Sequence, residues 1–166
     1  HLMSLVNDVL DMSRIDSGRM TLSEEAFSLA DLVHDVAVII RPQAERKGQT
    51  LHIQIADILA EELMGDSLRL RQILVNIIGN AVKYTQERGE IQVRFSQRPG
   101  PEGHIWLDFS CRDNGMGMSR EFLDKIFIPF ERVRNAATQQ IEGTGLGMSI
   151  VKRLVDSMEG SITVES

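Results

Sequence analysis

Apolar and polar positions along this chain follow two rhythms, and each predicts a different kind of element. Leu2, Leu5, Val9 and Met12 recur at three- and four-residue steps, the spacing of a helix seated against other helices. Asn7, Asp8, Asp11 and Arg14 fill much of the remainder, and "DSGRM" breaks the pattern around Gly18. Two heptads are too short to stand alone, so this helix is expected to need partner helices; packing on its own domain is the alternative. Residues 29–47 carry a second helical stripe of Leu32, Val33, Val36, Ile39 and Ile40, closed by Gly48. A third spans roughly Ser67 to Tyr84, with Leu70, Ile73, Leu74, Ile77, Ile78 and Ala81 inward.

The second rhythm has period two. In "TLHIQI", Leu51, Ile53 and Ile55 alternate with polar residues, which predicts a half-buried strand. "GEIQVRFS" and "HIWLDFSC" alternate likewise around the turn chemistry of "QRPGPEG", which predicts a hairpin with one face on a core. Then follow a glycine-rich turn, a short helix near Arg120 to Ile126, a polar stretch from Arg132 to Glu142, a last helix and a last strand, "GSITVES". Mixed helices and hairpins predict an α+β fold: a two-layer sandwich with a mostly antiparallel mixed sheet and helices on one face.

Composition narrows the class. A chain of 166 residues bounds the count at about one domain. A net charge of −6 argues against a general nucleic-acid binder. No apolar run reaches the ~20 residues of a membrane span, and no signal-peptide pattern opens the chain. Cys111 has no second cysteine to pair with, which favours a reducing compartment and a cytosolic domain. The chain starts inside a helical pattern and stops on a strand-like run, so a piece of a larger protein is expected.

Three constellations could do chemistry. On the third helix Asn76, Asn80 and Lys83 stand at steps of four and three, on one face beside the apolar stripe. Asparagine is a poor helix former. A carboxamide oxygen can serve Mg²⁺ and a lysine can meet phosphate, although tying down a loop explains both asparagines equally well. In "DNGMGM", Asp113 stands at a strand end before Gly115 and Gly117, where a carboxylate can accept from an exocyclic amine; a plain tight turn accounts for the same residues. In "EGTGLGMSIVKRL" three glycines at alternate positions run into a helix. Each costs backbone entropy, so each needs a sharp turn or a close approach to phosphate. The stretch lacks the Gly-Lys-Ser/Thr ending of a Walker loop and the full dinucleotide fingerprint after a strand. Arg132 and Arg134 lie on the polar stretch that could close as a lid.

The order of these features resembles the ATP-binding catalytic domain of sensor histidine kinases, within the GHKL (Bergerat) ATPase superfamily. "QILVNIIGNAVKYT" is similar to that family's N box, "DNGMGM" to its first glycine box, "IFIPFER" to its F box and "GTGLGMSIVK" to its second glycine box. The resemblance implies Mg²⁺ on Asn80, with Asn76 and Lys83 along the phosphates of ATP and Tyr84 flanking the nucleotide. It implies Asp113 on the adenine amine, Gly115 and Gly117 shaping the base pocket, and Phe127 and Phe130 anchoring a lid that includes Arg132. Gly143, Thr144, Gly145, Leu146 and Gly147 would end that lid and meet phosphate. Residues 1–20 are similar to the second helix of a dimerisation and phosphotransfer hairpin. Residues 21–166 would be the catalytic domain, cut before its last glycine box and strand.

The implied activity is transfer of the γ-phosphate to a histidine on the first hairpin helix, for relay to a response regulator receiver domain. The implied parent is a homodimer of a bacterial inner or plasma membrane, with this domain cytoplasmic, membrane contact only through absent segments and no nucleic-acid partner. The wording of the second glycine box is nearest that of hybrid kinases. Two alternatives stand beside it: an ATPase of the same fold driving conformational work, and a non-catalytic pseudokinase module. The histidine-bearing segment with its following Arg and Pro is not in this sequence; His34, His52 and His104 lie in other contexts, and His1 reads as a remnant at the cut end. Water-activating members of the superfamily carry a Glu where Asn76 stands, and a carboxamide is no general base at neutral pH, which disfavours hydrolysis.

Overall fold

A computed structural model describes residues 2–132, 141 and 143–166. The elements run α1 (Leu2–Asp16), β1 (Glu25–Ser28), α2 (Leu29–Arg46), β2 (Thr50–Ile55), β3 (Glu62–Gly65), α3 (Ser67–Tyr84), β4 (Glu90–Pro99), β5 (Ile105–Asp113), α4 (Arg120–Leu123) and α5 (Gly147–Ser157). They divide into two compact units, Glu24–Met116 and His1–Ser23 with Gly117–Ser166.

In the Glu24–Met116 unit, β2, β4 and β5 form a sheet in that order, β2–β4 parallel and β4–β5 antiparallel. Parallel strands need a crossover, and the chain between β2 and β4 supplies it through β3 and α3. The register aligns Ile53, Val93 and Cys111 in one inward row and Phe95 with Phe109 in the next, which ends at the exposed Ile55. α2 and α3 lie on that inward face. Leu32, Val36, Ile40, Leu74, Ile78, Val93 and Phe95 form one buried cluster, to which Phe109 and Cys111 add. Each fully buried Leu, Ile, Val or Phe side chain of the cluster contributes about 1.5–3 kcal/mol by leaving water.

Both long helices are capped from their own sequence. The Ser28 hydroxyl accepts from Asp31 N, and an Asp66 carboxylate oxygen accepts from Arg69 N at 3.0 Å. Pro42 inside α2 removes one donor, which would leave the Val38 carbonyl unpaired; Val38 is exposed, so water can take its place. β1 and β3 pair antiparallel as a separate two-stranded ladder, which the periodicity did not predict.

In the other unit, α1 meets α5. Ile150, Val151 and Leu154 of α5 are fully buried, whereas Met12 is the one buried residue of α1. Leu2, Leu5 and Val9 of the predicted stripe are exposed. The short helix is a single turn, capped by the Ser119 hydroxyl on Phe122 N. The expected last strand does not form: residues 160–166 join no ladder. An alternating run becomes a strand only when a neighbour takes its backbone bonds, and here the Ser166 hydroxyl instead accepts from Met118 N at 2.7 Å. Among the described residues no helix is long and apolar enough to cross a membrane.

Candidate nucleotide site

The Glu24–Met116 unit brings the N box and Asp113 together through the end of α3. Asn76 and Asn80 are half-buried on α3 beside its buried stripe, and Lys83 is exposed one turn on. The Asn80 carboxamide makes no hydrogen bond among the described residues, so its oxygen can coordinate a ligand. After Tyr84 the chain leaves the helix, and its backbone receives the turn that follows β5. Met116 N donates to the Tyr84 carbonyl at 3.3 Å. A Cβ on Gly115 would stand 2.5 Å from that carbonyl and 2.8 Å from Asp113 Oδ1, so no other residue fits without moving the backbone.

Asp113 ends β5, opposite Ile91. Its Oδ1 accepts from Gly115 N at 2.9 Å, and the side chain is exposed, which leaves Oδ2 for a donor from solution. The intervening Asn114 locks the turn: its Oδ1 accepts from Glu90 N at 2.8 Å, and Gln86 Nε2 donates to its carbonyl. The only sequence signal for this bond is the place of Asn114 in an Asp-Asn-Gly turn.

The other glycines and the F box belong to the second unit. Gly145 has φ +75°, and a Cβ there would lie 2.8 Å from Phe130 Cα, while Phe130 N donates to the Gly145 carbonyl at 2.8 Å. The glycine is required because two backbones cross in contact. Phe130 is exposed with φ +66°, an uncommon conformation for a bulky residue, and Phe127 is half-buried. Thr144 Oγ1 accepts from Leu146 N at 3.2 Å and donates to Asp8 of α1 at 2.9 Å. No side chain caps α5 from Leu146, which is buried; Gly147 opens the helix and Gly143 is exposed. Arg132 donates to the Ile141 carbonyl. His1, Arg134, Glu142 and most of the predicted lid lie outside the described residues. Gly117, exposed at φ +71°, belongs to this unit, as Asp113 and Gly115 do to the other.

Comparisons with known proteins give the family. Residues 65–166 match the family described as histidine kinase-, DNA gyrase B-, and HSP90-like ATPase. Sensor protein GacS of Pseudomonas syringae pv. syringae is 39% identical over 166 residues, all of this chain and 18% of that protein. Hybrid signal transduction histidine kinase C of Dictyostelium discoideum is 38% identical over 170 residues, 99% of this chain and 14% of that protein. The chain thus spans less than a fifth of these curated relatives. Among solved structures, full-length ShkA in complex with AMPPNP superposes with a TM-score of 0.77 at 34% identity, covering 97% of this chain and 32% of ShkA. The chain therefore belongs to the histidine kinase-, DNA gyrase B- and HSP90-like ATPases, as a catalytic domain of the sensor histidine kinase kind.

Proposed function

We propose that this chain binds Mg-ATP and is the kinase part of a two-component phosphorelay, acting on a histidine carried by a helical hairpin. The observation that carries the reading is the pairing, within one unit, of an uncommitted Asn80 carboxamide with an exposed Asp113 carboxylate that its own turn holds by one oxygen. The residues present fit the nucleotide. Among the described residues no cluster of three His, Cys, Asp or Glu side chains could hold a metal alone. A magnesium ion that arrives with phosphate oxygens and waters needs only one or two protein ligands, and a carboxamide oxygen is one.

In this reading Asn80 gives a neutral oxygen to the ion, and Asn76 and Lys83 meet the phosphates, the lysine as a point charge. Tyr84 flanks the nucleotide. Asp113 accepts from the adenine amine, a charged hydrogen bond that also selects the base, and Gly115 and Gly117 shape the pocket. Bound ATP supplies the phosphoryl group. The contribution of this chain's residues is positioning and charge neutralisation, which is most of what such a transfer requires. Asn76 offers no general base to water, so the chain holds its nucleotide without spending it. Gly143, Thr144, Gly145, Leu146 and Gly147 are proposed to meet phosphate. Phe127, Phe130 and Arg132 are proposed to hold the lid; the Phe130–Gly145 bond supports this by tying its two flanks together.

The exposed Leu2, Leu5 and Val9 of α1 support pairing with the first hairpin helix and, through it, a homodimeric parent. Residues 1–20 would then be the end of the hairpin and residues 21–166 the catalytic domain. A receiver domain would accept the phosphoryl group from the histidine, and the domain would work on the cytoplasmic side of a bacterial membrane. The test is phosphoryl transfer in trans. The chain, given labelled ATP and Mg²⁺, is expected to label neither itself nor water at an appreciable rate, and to label a histidine-bearing hairpin when one is added. Steady phosphate release by the chain alone, or no transfer to a folded hairpin that the chain binds, overturns the reading.

A further inference from the structure

Where α2 ends, the chain places a lysine and a glutamine against the far end of α3. Lys47 Nζ donates to three carbonyls at once: Val82 at 2.8 Å, Lys83 at 3.1 Å and Thr85 at 2.7 Å. Gln49, buried, donates through Nε2 to the Val82 and Thr85 carbonyls at 3.0 and 2.8 Å. The last carbonyls of a helix have no partners of their own and form the negative end of its dipole, so a cation there meets both needs. The arrangement is costly. Burial pushes the Lys47 pKa below the usual lysine value, opposed by the charge of Glu87. Gln49 Oε1 and Thr85 Oγ1 are buried without a partner among the described residues. A helix end needing only to stop could do so with a glycine or with solvent.

The same carbonyl row bears on the candidate site. Val82 and Lys83 lie within a turn of Asn80. Tyr84, between two of the anchored carbonyls, is the residue whose own carbonyl accepts Met116 N and would be the nearest atom met by a Cβ on Gly115. Gly115 N in turn holds the Asp113 carboxylate.

We propose that Lys47, seconded by Gln49, is a positioning residue for nucleotide binding: it clamps the end of α3 and so fixes Asp113 against Asn80 and Lys83. The proposal rests on the nucleotide reading above. Its test is calorimetric titration of ADP with Mg²⁺ into the chain and into Lys47→Met, Lys47→Arg and Asp113→Asn, at a temperature where circular dichroism shows each folded. The backbone amide resonances of Gly115 and Met116 are followed in the same samples.

Lys47→Met is expected to bind about tenfold more weakly, the usual scale for removing a support behind a ligating group. It is also expected to move the Gly115 and Met116 resonances before any nucleotide is added. Lys47→Arg, which keeps the cation, should recover most of the affinity. If Lys47→Met does not fold, Lys47→Gln carries the same comparison. Unchanged affinity in folded Lys47→Met or Lys47→Gln, with binding still weakened in Asp113→Asn, overturns the positioning role alone. Absence of binding by the unsubstituted chain overturns the nucleotide reading and the clamp with it.

Discussion

Cys111 and Asp113 stand two residues apart on β5, on the same side of the pleat, and meet opposite surroundings. Cys111 packs against the core cluster, where burial, with the nearby Asp113 charge, pushes its thiol up to about 12. Asp113, at the strand end, is exposed. The raised thiol makes a pH prediction. A group that holds its proton more tightly when folded contributes stability that is complete below its unfolded pKa, near 9, and is lost as pH rises toward its folded pKa. Stability measured by urea unfolding should therefore fall by about 1 kcal/mol more between pH 9 and pH 10 in the chain than in Cys111→Ala. Equal slopes would contradict the buried thiol.

The alternation of "HIWLDFSC" was enough to turn Cys111 inward and leave Asp113 at a strand end, and the spacing of Asn76, Asn80 and Lys83 was enough to place them beside the buried stripe. Pattern could not show what backbone contact demands. Gly145 is glycine because Phe130 crosses it, and Gly115 because the Tyr84 carbonyl does. Neither neighbour lies close in sequence. Lys47 and Gln49 were legible only as the end of a helix, since their partners are more than thirty residues away.

At the scale of elements, α3 carries Asn76, Asn80, Lys83 and Tyr84 of the candidate site and depends on both its ends. Its C-terminus is held by the Lys47 cluster and its N-terminus by Asp66. Replacing Asp66 with Ala leaves the Arg69 N–H without its acceptor, and should lower unfolding free energy by about 1 kcal/mol; Asp66→Asn should restore most of it. Chemical denaturation measures both, and an Asp66→Ala variant as stable as the parent would show that the cap contributes nothing. The long helices and the β4–β5 hairpin were legible because each repeats its period several times. β1 and β3 were not, because "EAFS" and "ELMG" are four residues each and exist by pairing with one another across α2 and β2. "GSITVES" erred the other way: its alternation was clear, but a strand is completed by a neighbour and not by its own pattern.

At the scale of the whole molecule, the two units contribute different things to the proposed kinase. The Glu24–Met116 unit holds a three-stranded mixed sheet under two helices and carries Asn76, Asn80, Lys83, Tyr84, Asp113 and Gly115. The other unit ties α1 to the helix after the glycines, through Asp8 to Thr144, Met12 to Ser149 and Asp16 to Arg153. It leaves an apolar stripe of α1 exposed. Membership of the ATPase family rests on the match of residues 65–166, and nucleotide binding is the property on which the proposed kinase activity depends. Calorimetric titration with ADP, with and without Mg²⁺, on the chain and on Asp113→Asn tests it most directly. Binding is expected to strengthen with Mg²⁺ and to weaken by roughly tenfold or more in Asp113→Asn, the cost of losing a hydrogen bond to a charged group. A folded chain that takes up no ADP, or that binds it equally well without the Asp113 carboxylate, would contradict it.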